Sequence, residues 1–159
     1  NNIVFTSLWD HYPDSMKIPL TGTASHLYLL MAGTTNPMQS RFLNGQVIVT
    51  YKDGSRDILS LINPETWWPI EQDYVEDGYA FTLHQPRPLR LHLKTGTVHS
   101  TFKDYTSIKG FSNRAIEGGA ATILDLPLDA GKELDSLIVK TLANDVVIGL
   151  MSATLLRNK

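Results

Sequence analysis

Apolar residues in this chain recur in short runs with a period of two, and turn residues separate the runs. The best-defined unit is GQVIVTYKDGSRDILSL, in which Val47, Val49 and Tyr51 share one face before the dipeptide Asp53–Gly54. Asp-Gly between two alternating runs is the strongest short-range signal for a β-hairpin, and it favours a type I′ turn. We therefore predict a hairpin here, with residues 58–61 in the returning strand.

The other β signals are weaker but similarly spaced. SHLYLLMAG, residues 25–33, is apolar on both faces, which is typical of a central strand covered on both sides, although a short buried helix has the same pattern. Pro86 and Pro88 exclude a central strand where they stand. LRLHL after them predicts a strand whose leucines alternate with a face in water that carries Arg90 and His92. GGAATILDLPL predicts another strand, and ELDSLIVKTLANDVVIGLMSATLL predicts two that meet in a tight turn at Asn144–Asp145.

Together these signals predict about eight to ten short strands and no long helix. Strands of this kind favour an all-β fold, an antiparallel sandwich of two sheets, and a jelly roll is the arrangement that we expect. The segment DYTSIKGFSNRAIEGG, residues 104–119, is predicted to be loop.

The length of 159 residues suits a single domain, because a chain of this size can bury a substantial core. The sequence begins with neither methionine nor a signal pattern, so we expect residues 1–159 to be one domain of a longer protein. A formal net charge of −2 gives no electrostatic case for nucleic acid or an anionic membrane surface as partner. No apolar run approaches the ~18 residues of a membrane span, so we expect no insertion into a membrane.

Composition also limits the chemistry that the chain could perform. The absence of cysteine excludes disulfides, thiolate metal sites and a cysteine nucleophile. No serine or histidine lies in a hydrolase or zinc motif, and no glycine-rich phosphate loop is present. A carboxylate pair for glycoside hydrolysis could come from Asp10, Glu71 and Asp73, although most of the 16 acidic residues are expected to be solvated. We therefore expect no catalytic residue and no metal ligands.

The stretch NPETWWPIEQDY, residues 63–74, is the strongest candidate for a binding site. Sugar rings stack on indole while nearby amides, carboxylates and guanidinium groups bind the hydroxyls. Neighbouring side chains of a strand point to opposite faces, so we expect one of Trp67 and Trp68 to be buried and the other to meet a partner. Trp9 and Tyr12 lie in another loop-like segment. The alternative is that Trp9 and one of Trp67 and Trp68 plug the open ends of the sandwich.

A second polar stretch, GTTNPMQSR, follows the predicted central strand at residues 33–41. Its Asn-Pro step favours a turn, and a loop here could present Gln39 and Arg41 to a ligand or to a neighbouring domain. An internal salt bridge from Arg41 to Asp10 or Asp73 is an equally simple interpretation.

The segments FTSLWDHYPDS, HLYLLMAGTTNPMQSR, VTYKDGS and NPETWWPIEQDY together carry a resemblance. The chain resembles β-sandwich accessory domains of large bacterial proteins that degrade polysaccharides, similar to the galactose-binding-like jelly rolls that flank glycoside hydrolase catalytic domains. The resemblance implies a non-catalytic domain in a periplasmic or cell-surface enzyme. Many such domains hold a structural calcium, but no acidic cluster here has the spacing of a calcium loop.

Two hypotheses for function follow. In the first, the domain binds carbohydrate, with one tryptophan as the stacking surface and polar contacts from nearby side chains; the expected ligand-binding residues are Trp67, Trp68, Gln72, Asp73, Gln39 and Arg41. In the alternative, the same face is a structural interface with the catalytic domain of the same polypeptide, because aromatic residues, methionine and arginine are also what buried contact surfaces favour.

Overall fold

The computed structural model of the chain describes residues 3–9, 11–36, 40–73, 78–79, 82–102, 105–106 and 115–157. Within these ranges the chain forms strands and no helix. The strands are β1 (Val4–Ser7), β2 (Ser15–Pro19), β3 (His26–Thr35), β4 (Leu43–Tyr51), β5 (Arg56–Ile62), β6 (Arg90–His92), β7 (Val98–His99), β8 (Tyr105–Thr106), β9 (Ala115–Ile116), β10 (Ala120–Pro127), β11 (Leu134–Thr141) and β12 (Val146–Leu156).

Two antiparallel sheets contain most of these strands. One has six strands in the order β1-β12-β3-β10-β6-β7, and the other has four in the order β2-β11-β4-β5, while β8 and β9 form a separate short ribbon. Alternate side chains from both sheets meet in one core, for example Leu29 and Met31 from β3, Val47 and Val49 from β4, and Leu137 from β11. The structure confirms the predicted all-β sandwich of two antiparallel sheets.

The connectivity is that of nested hairpins. β4 pairs with β5, β3 with β10, β2 with β11, and β1 with β12, so each pair encloses the one before it. Folding this long hairpin over on itself places the pairs alternately in the two sheets, which is the jelly-roll arrangement. The segment 63–119, between β5 and β10, is inserted into this frame and supplies β6 to β9.

The hairpin of β4 and β5 is confirmed, but its turn differs from the predicted type. A type I′ turn needs positive φ at both central residues, whereas only Gly54 of the Asp53–Gly54 pair has one, 86°. Gly54 N–H donates to Tyr51 O at 2.9 Å, and Tyr51 N–H donates to Ser55 O at 3.0 Å. This pattern is a type I turn with a glycine bulge, the geometry of a three-residue loop.

Strand β3 is central in its sheet, as predicted, but only one of its faces is fully covered. Leu27, Leu29 and Met31 point into the core between the sheets. The outward residues Tyr28 and Leu30 are exposed and half-buried, although the sequence pattern is typical of a strand covered on both sides.

Two further predictions meet a mixed outcome. Strand β6 has only three residues, and Arg90 on its expected wet face is buried while Leu89 is exposed, so that face assignment was wrong. The last two strands do meet in a turn, where Asp145 has a φ of 54°. This turn joins the two sheets rather than neighbours within one. In the segment expected to be loop, β8 and β9 pair as a ribbon, and residues 107–114 lie outside the described residues.

Candidate functional site

Both tryptophans of the predicted stacking site are buried. Trp67 is 1% exposed and Trp68 is 4% exposed, so the expectation that one of them faces a partner was wrong. The physical reason is that the alternation of a strand does not apply here, because residues 63–66 form turns after β5 and residues 67–69 join no ladder. Neither indole offers a free face on which a sugar could stack.

Trp67 closes one end of the sandwich. Its Nε1–H donates to the Asn44 side-chain oxygen on β4 at 3.0 Å. A Cβ built on Gly33 of β3 would lie 3.0 Å from the Trp67 ring, so the indole lies directly against the backbone of that strand. This agrees with the interpretation of one tryptophan of the pair as a plug, whereas Trp9, the other expected plug, is 47% exposed.

Asp73 and Gln72 belong to a buried clamp around Arg90, which lies on β6. The Arg90 guanidinium donates to the carbonyls of Pro69 and Gln72 at 2.7 Å each and to that of Ala120 at 2.8 Å. Its Nη1 lies 3.9 Å from Asp73 Oδ1. Burial lowers the pKa of Arg90 to about 10, and the nearby carboxylates of Asp73 and Glu71 act in the opposite direction.

This clamp fastens the inserted segment to the six-stranded sheet. The Asp73 carboxylate also accepts Phe102 N–H at 3.0 Å. The cleft between Trp68, Asp73 and Arg90 leaves no room for a water molecule. In this structure Gln72 and Asp73 therefore hold the fold together and do not line an open ligand site. Of the carboxylates considered for catalysis, Asp73 is thus fully buried, and Asp10 lies outside the described residues.

Arg41 lies in a different network. Its backbone is left-handed, with a φ of 64°, and its Nη1 makes a salt bridge to Glu65 at 3.0 Å. The other end of the guanidinium donates to the carbonyls of Thr82 and Tyr79. The salt bridge that the structure describes for Arg41 is thus to Glu65, while Asp73 lies against Arg90 and Asp10 lies outside the described residues. Gln39 lies outside the described residues.

An open groove lies elsewhere, on the outer face of the six-stranded sheet. It has a volume of about 370 Å³, within the usual range for ligand pockets. Gly149 of β12 and Ala32 of β3 form its floor, in one row with Phe5 of β1 at the edge, because the three are successive partners in the strand register. A row with a glycine and an alanine between larger side chains makes a depression in the sheet surface.

The walls of the groove are apolar. Ile3 and Phe5 bound it at the β1 edge, and Ile70 and Leu93 of the inserted segment bound it opposite. Met151 also lines the groove; it is the extra residue of an irregularity in the pairing of β12 with β3, between Leu150 and Ser152. Bulges of this kind redirect one side chain at a sheet surface.

Ile70 is fixed between two strands of the sheet. Its N–H donates to Gly33 O at 2.7 Å, and its carbonyl accepts Ala120 N–H at 2.8 Å. The next residue, Glu71, accepts a hydrogen bond at 3.3 Å from the hydroxyl of Thr34, which lines the groove. Thr34 carries the one polar side chain among the described residues that line the groove. The clamp at Arg90 thus also positions the wall and the polar end of the groove.

An exposed apolar rim continues from the groove to the end of β1. Trp9 and Tyr12 are each 47% exposed, and the Tyr12 ring packs edge-to-face on Phe5 with centroids 5.3 Å apart. The turn that carries them is closed by Tyr12 N–H donating to Trp9 O at 3.2 Å. The groove and this rim together form the outer apolar face of the protein.

Two other expectations concern metals and membranes. In the part of the chain that the structure describes, no three carboxylate or imidazole side chains are grouped so that they could hold a metal ion, calcium included. Within the same residues, no helix has the length and apolar character needed to cross a membrane.

Comparisons of the chain with protein-family models, with curated proteins and with solved structures give no significant match. The interpretation of the outer apolar face therefore rests on its own geometry. This face was not among the sites predicted from the sequence, although the sequence carries one signal for it. Residues 25–33 are apolar on both faces, yet only one face is covered by the second sheet.

Proposed function

We propose that this chain is a non-catalytic β-sandwich module that docks onto an apolar surface of another protein domain through its outer apolar face. The observation that carries the proposal is the apolar groove of about 370 Å³ beside a central strand whose sequence is apolar on both faces. The sequence pattern of β3 is typical of a strand that is covered on both faces, and a partner domain over this face would supply the missing cover.

The chemistry of the face favours a protein surface over a sugar as the partner. A sugar site needs several polar groups around an apolar wall, whereas the polar side chain lining this groove is that of Thr34. Phe5 and Met151 line the groove, and Trp9 and Tyr12 extend the apolar surface beyond it. Aromatic residues and methionine are enriched in protein interfaces. The resemblance in the sequence suggests which protein surface this is. The partner would be the catalytic domain of a polysaccharide-degrading enzyme, in the same polypeptide and outside the cytoplasm.

The test compares two charged substitutions at positions of equal exposure. Phe5 is 42% exposed at the groove, and Ile58 is 41% exposed on the opposite sheet. Without its partner, the uncovered face should drive self-association as the concentration of the protein rises. Sedimentation velocity should show this association in the unmodified protein and in Ile58→Glu, and its loss in Phe5→Glu. Equal behaviour of the two variants would contradict the proposal.

A second candidate function, carbohydrate binding, is favoured by one observation: Trp9 and Tyr12 expose their rings. Stacking on these rings would be independent of the buried Trp67 and Trp68. A panel of polysaccharides titrated against tryptophan fluorescence tests it. A saturable change that is lost in Trp9→Ala would support carbohydrate binding at the rim, and the absence of any response would favour docking alone.

A further inference from the structure

Among the described residues that line the groove, the one polar side chain, that of Thr34, can accept a hydrogen bond while its own proton is already engaged. The Thr34 hydroxyl already donates its proton to Glu71 Oε1 at 3.3 Å, which leaves the lone pairs of its oxygen and those of the carboxylate. The other described residues that line the groove are aliphatic, aromatic, methionine or glycine. A ligand that fits both parts has an apolar body and one hydrogen-bond donor.

Charge strengthens this requirement. Glu71 carries a carboxylate whose charge acts on Arg90, but the hydrogen bonds of that guanidinium go to three backbone carbonyls in the clamp. An acceptor group of a ligand would meet a negative charge at this end of the groove. A donor would form a charge-assisted hydrogen bond, which is stronger than a neutral one.

We propose that the groove receives an indole ring whose N–H donates to the Thr34–Glu71 pair, supplied by a tryptophan of the docking domain. This inference rests on the proposed docking function and specifies the chemistry of its anchor. Indole is a flat apolar ring with one donor and no acceptor, whereas a lysine would have to bring a strongly hydrated ammonium group into an apolar groove. Tryptophan is also among the residues that most often anchor protein interfaces in a pocket.

The test uses indole itself as the probe and 1-methylindole as its matched control. Methylation keeps the ring and removes the donor. Titrations are followed by two-dimensional NMR, with the backbone amides of Ala32, Thr34 and Val147 reporting on the groove. We expect indole to shift these signals and to bind about tenfold more tightly than 1-methylindole, the loss typical of one hydrogen bond to a charged acceptor.

Three variants locate the binding and its cause. Ala32→Leu fills the floor of the groove and should abolish binding of both compounds. Glu71→Gln removes the charge, and Thr34→Val removes the hydroxyl without changing the shape of the side chain; in either, the preference for indole should shrink towards onefold. Each of these two variants changes a different partner of the hydrogen bond. If one of them fails to fold, the other still tests the preference for indole.

The outcomes separate the anchor from the docking function. Equal binding of both compounds, abolished by Ala32→Leu, would overturn the indole inference and leave docking at the groove supported. Binding of neither compound would also overturn the inference, while the sedimentation comparison of Phe5→Glu with Ile58→Glu would still decide docking. Preference for indole that persists in both Glu71→Gln and Thr34→Val would show that the donor bonds elsewhere and would overturn the assignment.

Discussion

Replacing Arg90 with methionine should cost the fold a large part of its stability. Methionine keeps an unbranched apolar stem but removes the donors that reach the carbonyls of Pro69, Gln72 and Ala120. It also removes the counter-charge of the buried Asp73 carboxylate. Breaking a buried ion pair from one side typically costs about 3–5 kcal/mol, and we expect a loss in this range.

The geometry predicts which part of the clamp matters more. The bonds from Arg90 to the carbonyls are 2.7–2.8 Å long, whereas its nearest contact to the Asp73 carboxylate is 3.9 Å. Asp73→Asn should therefore cost less than Arg90→Met. The double variant should remain at least about 2 kcal/mol less stable than the unmodified protein, because the buried carbonyls still lack their donor.

Urea unfolding followed by tryptophan fluorescence and by circular dichroism measures these differences. Trp68 lines the same cleft as Arg90, so its emission reports on the clamp directly. Arg56→Met, at an exposed position of β5, is the control and should change the free energy of unfolding by less than about 0.5 kcal/mol. A double variant close to the unmodified protein in stability would refute the reasoning, since charge pairing and not carbonyl binding would then dominate.

Two further predictions concern other parts of the sandwich. Burial and the hydrogen bond to Asp57 raise the pKa of Tyr51 from 10.0 to about 12, so the stability that this phenol contributes should be present below pH 10.0 and lost as the pH rises towards about 12. Ultraviolet titration of Tyr51→Phe and of the unmodified protein should assign one late-titrating tyrosine to Tyr51, and identical titration curves would contradict this. Gly33→Ala should destabilise by more than about 2 kcal/mol, because the new Cβ would lie 2.1 Å from the backbone oxygen of Val147; a midpoint of urea unfolding equal to that of the unmodified protein would show that the strands can separate at low cost.

The fold was predictable because the sandwich depends on local patterns. Alternation in β4 and β5 indicates which side chains face the core. The Asp-Gly and Asn144–Asp145 turns indicate where strands end. The turn type was not predictable, since Asp53 can take either sign of φ and the strand register decides. Arg90 was predicted to be exposed because charged residues usually face solvent. Its burial depends on backbone carbonyls that are distant in sequence and become its acceptors only in the folded protein.

The candidate site was much harder to predict from the sequence than the fold. Aromatic and polar residues close together in NPETWWPIEQDY indicated a surface, but the insertion folds inward and uses Trp67 as a plug and Asp73 in a clamp. The groove depends on Gly149 lying opposite Ala32, which is a fact of register between distant strands. Small residues give no signal of this kind in a single sequence, because their effect depends on which neighbours are larger.

The nested order of the hairpins has a consequence for how the chain folds. The innermost pair closes Thr50 onto Arg56, whereas the outermost pair joins Val4 to Leu150, so the loops that must close grow longer with each pair. Because closing a longer loop costs more chain entropy, we expect the amides of β4 and β5 to gain protection first in pulsed hydrogen exchange and those of β1 last. Early protection of β1 would contradict this order. If β1 does pair last, the groove is the last surface to form. A partner that binds the groove would then bind only molecules that have completed folding.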